Sequence, residues 1–66
     1  MRIWLRRLRL KYRMSYKDAA LISGISREHF VNIEKGIRNP SIKYAKKIAK
    51  AFNFEWTKFF EETNET

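Results

Sequence analysis

Arg27, Glu28, Val31 and Asn32 stand within residues 27–32, interleaved with Phe30 and followed by Ile33. If Phe30 and Ile33 face a core at helical spacing, the other four share the opposite side. Side chains of these types can tell base pairs apart. A guanidinium such as Arg27 can pair bidentately with guanine O6 and N7. A carboxamide such as Asn32 can do so with adenine N6 and N7. Glu28 can accept from cytosine N4, and Val31 can cover a thymine methyl. A solvated helix face uses the same residue types, and Glu28 also suits the electropositive start of a helix. The surrounding residues must decide between these uses.

Donors for phosphate bracket that stretch. Ser15, Tyr16 and Lys17 fall at the start of a preceding helix, whose free N–H groups favour an anion. Lys35, Arg38, Asn39, Ser41 and Lys43 follow it. Such contacts would position the chain without reading sequence. The formal charge of +8 is unevenly spread. Residues 1–50 carry 14 Lys/Arg against Asp18, Glu28 and Glu34, a net +11. Residues 51–66 carry Lys58 against Glu55, Glu61, Glu62 and Glu65, a net −3. A basic body with a short acidic tail suits a polyanionic partner, although solubility alone can account for such a balance.

The 66 residues hold one domain at most. A domain of this size buries only about 60% of the surface its unfolded chain exposes. There is no cysteine, so no disulfide or thiolate metal site can help, and His29 alone cannot build a metal site. Packing must supply the stability, and an aromatic share of 15% provides bulky side chains for it. No apolar run approaches the roughly 18 residues of a membrane span. Arginines interrupt every apolar run of MRIWLRRLRLKYR, so the start does not read as a signal peptide. The absence of cysteine fits the cytosol. No nucleophile is paired with a base and no metal constellation is present, so neither an enzyme nor a cofactor is expected.

The elements follow from punctuation. Glycine occurs only at 24 and 36, and proline only at 40. A first helix is predicted over roughly Ile3–Arg13, with Trp4, Leu5, Leu8 and Tyr12 on one face. Ser15 caps a second, with Asp18 as its capping-box acid. Gly24 ends it in the left-handed conformation. Ile25 pins the turn, and Ser26 caps a third helix that Gly36 ends. Pro40 forces Asn39 out of helical conformation. Ser41 caps a fourth helix, Ile42–Phe52, burying Ala45, Ile48, Ala49 and Phe52. Asn53 breaks it. A short fifth helix, about Trp56–Glu61, returns Phe59 and Phe60 to the core. Nothing reads as a strand.

From Ser15 to Lys35 the pattern is two short helices across a tight turn, with Ala20 small where the helices cross. From Leu5 to Phe60 the chain resembles the Cro/repressor-type (XRE-like) helix-turn-helix family. The matching pieces are LRRLR at 5–9, SYKDAALISGIS at 15–26, FVNIEKGIRNPS at 30–41 and IAKAFNFEWTKFF at 48–60. The resemblance implies an all-α, compact five-helix repressor-like domain over residues 1–66. Its second and third helices would form the helix-turn-helix, and residues 62–66 a frayed tail. It places base contacts at Ser26, Arg27, Glu28 and Asn32. It also implies a largely buried ion pair between Arg9 and Glu34, which makes Arg9 structural.

Two positions depart from the family pattern. Tyr16 stands where Gln is usual. Its hydroxyl could meet a phosphate, but it would not brace the third helix as Gln does. Ala19 stands where Leu is usual, and Trp56 or Phe52 must fill that space. Ile3, Leu10 and Met14 form a second apolar stripe on the first helix. Family members often dimerise through their last helices, so Trp56 and Phe60 are candidates for a homodimer interface. The alternative is that Met14 and Phe60 complete the core and Ile3 is merely exposed.

The leading reading is a sequence-specific transcriptional regulator bound to double-stranded DNA, a repressor acting by promoter occlusion, in a bacterial or phage-type cytoplasm. No sensor domain or small-molecule pocket is evident. The alternative is an antitoxin or immunity-type module whose basic surface grips an acidic protein. A membrane-active first segment is disfavoured, because Leu5 and Leu8 belong to a core.

Overall fold

Serine side chains start three of the helices. In the computed structural model, which describes residues 1–61, Ser15 Oγ accepts from Asp18 N, Ser26 Oγ from His29 N and Ser41 Oγ from Tyr44 N. Each bond satisfies one of the donors that a helix start leaves without an intrahelical partner. The elements are α1 (Ile3–Lys11), α2 (Tyr16–Ser23), α3 (Arg27–Glu34), α4 (Ile42–Phe52) and α5 (Lys58–Glu61). The described residues are therefore all-helical. The expected frayed tail, residues 62–66, lies outside them.

Helix ends are set by residues that tolerate positive φ. Gly24 has φ 72°; its N–H bonds Leu21 O, and Ile25 N bonds Ala20 O. That pair of bonds is a Schellman motif. A Cβ on Gly24 would meet nothing within 4 Å, so backbone conformation and not space demands glycine there. Gly36, φ 80°, repeats the motif at the end of α3 through Gly36 N to Ile33 O and Ile37 N to Asn32 O. A Cβ on Gly36 would lie 3.3 Å from Met1 N, so close approach adds to the requirement. Asn53, φ 61°, ends α4.

Two boundaries differ from the expectation. The first helix stops at Lys11 because Arg13 turns into the left-handed region at φ 55°. Tyr12 therefore leaves the core face: it is exposed, and its ring only touches Phe52, 6.1 Å between centroids. The last helix begins at Lys58, not Trp56, because residues 55–57 form a turn whose carbonyls accept from Lys58, Phe59 and Phe60.

The core gathers Leu5, Ala19, Ala20, Phe30, Ile33, Ala45, Ile48, Phe52 and Phe59. Ala20 is 2% exposed, as a steep crossing of α2 and α3 demands. Of the two candidates for the space beside Ala19, Phe52 belongs to the fully buried cluster, while Trp56 packs at its rim. Trp4, Phe54 and Phe59 close the C-terminal side, with centroids 5.0–5.6 Å apart and rings steeply inclined. Such pairs add about 0.5–1.5 kcal/mol each beyond area burial. This cluster ties the short α5 to α1.

Candidate nucleic-acid interface

α3 separates its two sides cleanly. Phe30, Ile33 and Glu34 are fully buried. Ser26, Arg27 and Glu28 are exposed, and Val31 and Asn32 are half-buried. The groups that could read base edges thus project from a helix whose other side is locked into the core. The Ser26 cap uses an oxygen lone pair, so the hydroxyl proton is not consumed by it.

Arg38 comes to this side from the loop after α3. With Ser26, Glu28, His29 and Asn32 it lines a small depression of about 140 Å3. The Asn32 carbonyl, which accepts from both Ile37 N and Arg38 N, fixes that loop to the helix end. His29 is held edge-on against Tyr44 of α4, with centroids 4.3 Å apart.

The remaining phosphate candidates lie around helix ends. Ser15 and Lys17 are exposed at the start of α2, Lys35 is the exposed C-cap of α3, and Ser41 and Lys43 are exposed at the start of α4. Asn39 is exposed, but its Oδ1 is turned to Arg2 Nη2 at 2.8 Å. Only its amide N–H groups are left to donate.

Behind α3 lies an ionic network. Glu34 Oε1 accepts from Arg9 Nε at 2.8 Å, and Oε2 from Arg9 Nη2 at 3.2 Å. The carboxylate is wholly buried and the arginine nearly so. Arg9 Nη1 also donates to Met14 O at 2.8 Å. The bond to Glu34 holds the Arg9 pKa above its ordinary value, against the opposing effect of burial.

Tyr16 joins this network, which corrects the expectation for its hydroxyl. That group donates to Glu34 Oε2 at 2.7 Å, so its single proton is not available to a phosphate. Only the backbone N–H of Tyr16, at the start of α2, retains that use. The ring lies under the Arg9 guanidinium at 4.1 Å and near that of Arg27 at 5.9 Å. Burial, then the bond to Glu34 and its charge, raise the Tyr16 pKa. Tyr16 thus braces the end of α3 through Glu34, although it was expected not to brace that helix as the usual Gln does.

Arg2 was not legible as more than one basic residue among many. It is buried, and its Nη1 donates to Ile33 O at 2.6 Å and Arg38 O at 3.1 Å. Its backbone N–H donates to Glu34 O at 2.7 Å. The guanidinium clamps the carbonyl end of α3 to the loop that carries Arg38 and Asn39. Its partners lie 31 to 37 residues away in the chain, and no local pattern marks such a contact.

Trp56 is half-buried and stands edge-on to Phe60, centroids 5.9 Å apart, with Lys46 Nζ over its ring at 5.2 Å. Phe60 is 41% exposed, so it does not complete the core as the fifth helix was expected to do. Ile3 and Leu10 are exposed as well, while Met14 packs against the core, so the expected second stripe divides.

Two short helices joined by a glycine turn, with the second presenting polar groups outward from a buried apolar side, define a helix-turn-helix domain. The helix-turn-helix family model matches residues 5–59. The chain belongs to this Cro/C1-type helix-turn-helix family. It is 40% identical over 67 aligned residues to an uncharacterized HTH-type transcriptional regulator, YqaF, of Bacillus subtilis (strain 168), covering 100% of this chain and 88% of the relative. Two uncharacterized HTH-type transcriptional regulators of Archaeoglobus fulgidus are 45% and 43% identical over 53 residues. Each of those alignments covers 80% of this chain, and 76% and 75% of the respective relatives. No solved structure matches the chain significantly. Among the described residues, no helix is long and apolar enough to cross a membrane.

Proposed function

We propose that the chain is a sequence-specific, DNA-binding transcriptional regulator that reads the major groove with α3. The observation that carries this reading is the exposed side of α3, where Arg27, Glu28 and Asn32 stand over fully buried Phe30, Ile33 and Glu34. Arg27 pairs with a guanine and Asn32 with an adenine. Glu28 accepts from a cytosine, Val31 covers a thymine methyl, and Ser26 adds a short hydroxyl contact. Lys17, Lys35, Arg38 and Lys43, with Ser15, Ser41, the Tyr16 backbone N–H and the Asn39 amide, hold phosphates and set the register. Two copies bind together through Trp56 and Phe60, with half-sites about 34 Å apart. Occupying a promoter is sufficient for repression, so the simplest outcome of binding is occlusion. The relatives' names as transcriptional regulators support the same reading.

Selection of bound sequences from random duplex DNA tests it. Enrichment of a palindrome supports both specificity and two-fold symmetry. No enrichment of any sequence overturns the reading.

A further inference from the structure

The C-terminal halves of α2 and α4 border an open groove of about 560 Å3. None of the residues proposed to read bases or hold phosphates lines it. α2 contributes Leu21, Ile22 and the turn residue Gly24; α4 contributes Lys47, Lys50 and Ala51. Leu21 is 75% exposed and Ile22 45%, although both lie in a regular helix of a small domain that needs its apolar area buried. Lys47 and Lys50 are exposed, one turn apart on α4, and share a side of that helix. Among the described residues, no carboxylate lines the groove to balance them. Lys47 Nζ reaches the Gly24 carbonyl at 3.5 Å, which spans the gap between the two helices. Ser23 also lines the groove; it is 4% exposed and its hydroxyl has no hydrogen-bond partner among the described residues.

An occupant must therefore offer apolar side chains to one helix and negative charge to the other. A phosphate backbone uses the lysines but leaves Leu21 and Ile22 in water. An amphipathic helix with an acidic flank uses both. We propose that this groove docks an acidic amphipathic helix of a partner protein, with its apolar side on Leu21, Ile22 and Ala51 and its carboxylates at Lys47 and Lys50. The site is separate from the proposed DNA-reading side, so the peptide titration itself needs no DNA, and duplex binding serves as its control.

The test is a nuclear magnetic resonance titration of the full chain with two synthetic peptides of identical composition. One is a 15-residue helix with leucines on one side and glutamates flanking them; the other is its scrambled counterpart. The helical peptide should bind at least tenfold tighter and shift the amides of residues 21–24 and 47–51. The double variant Leu21→Ser, Ile22→Ser should weaken that binding tenfold while keeping the wild-type melting temperature and duplex affinity, because both side chains are exposed. Lys47→Glu with Lys50→Glu should weaken it as well. Equal binding of the scrambled peptide would reduce the site to charge alone and overturn the proposal. So would shifts confined to α1 or α3. Loss of duplex binding in the serine double variant would give the groove to DNA. Conversion of a dimer to a monomer by that variant would give it to a second copy.

Discussion

The Tyr16 hydroxyl donates to Glu34 Oε2 at 2.7 Å, joining the start of α2 to the end of α3 across the motif. The same carboxylate oxygen accepts from Arg9 Nη2 at 3.2 Å, so three helices meet at one buried group. The Tyr16 pKa is raised from 10.0, which means the fold favours the protonated phenol. A group whose folded pKa lies above its unfolded value adds stability below the unfolded value and loses it as pH rises through the folded one. Tyr16→Phe should therefore be less stable than wild type by a constant margin below about pH 9 and converge with it above pH 10. Denaturant melts of both proteins from pH 7 to 11 measure that difference. A margin that widens at high pH would contradict it.

Glu34→Ala strips the partner from a buried arginine and from Tyr16. Removing one member of a buried pair costs about 3–5 kcal/mol. Arg9→Ala should act alike, leaving the carboxylate uncompensated. Thermal unfolding followed by circular dichroism checks both. Either variant melting like wild type while losing duplex binding would make the pair a DNA-contact device instead.

Arg2→Ala should lower stability by about 1.5–3 kcal/mol, since the buried carbonyl of Ile33 and the part-buried carbonyl of Arg38 lose a charged donor. Releasing the loop should also weaken the phosphate contact proposed for Arg38. The slope of log K against log salt should become shallower by about 0.9 for each phosphate no longer neutralised, with base preference intact. Titration of a matched and a scrambled duplex at several salt concentrations reads both effects. An unchanged slope would confine Arg2 to stability.

Arg27 and Asn32 are expected to contact different base pairs from the outward side of α3. Arg27→Ala should cost about 1–3 kcal/mol on the preferred site and relax selection at one guanine. Asn32→Ala should relax a neighbouring position, an adenine. Lys43→Ala should weaken matched and scrambled duplexes equally, because a phosphate contact carries no base information. Binding is compared at one fixed salt. Equal weakening of both duplexes by Arg27→Ala would make that residue a phosphate anchor.

Phe60→Ala should weaken self-association while leaving the monomer folded, since the ring is partly in solvent. Trp56→Ala should weaken it too, with some loss of stability because its ring packs at the core rim. Sedimentation equilibrium with and without operator DNA measures this. Only monomer at high concentration in wild type would remove the dimer.

Three serine caps, the two positive-φ glycines and the Asn53 stop follow from residues acting within a few positions of themselves, so five helices and their order could be read directly. Spacing also identified Phe30 and Ile33 as the buried side of α3. It misjudged Tyr12, because the expectation ran the helix past Lys11, where the chain turns at Arg13. Phe60 was misjudged too, since in a four-residue helix Phe59 takes the core position and its neighbour faces outward.

Local propensity and apolar periodicity thus determined the all-helical architecture, the helix-turn-helix and the side of α3 that faces outward. Tertiary structure alone decided the partners of the polar groups behind that side. Arg2 reaches Ile33, Arg38 and Asn39, and Tyr16 reaches Glu34, across separations of 18 to 37 residues. It also decided that Leu21 and Ile22 would border a groove beside Lys47 and Lys50. The physical reason is the same in both cases. A cap or a turn minimises the free energy of adjacent residues, whereas a buried hydrogen bond or an uncovered apolar wall depends on where packing brings distant segments together.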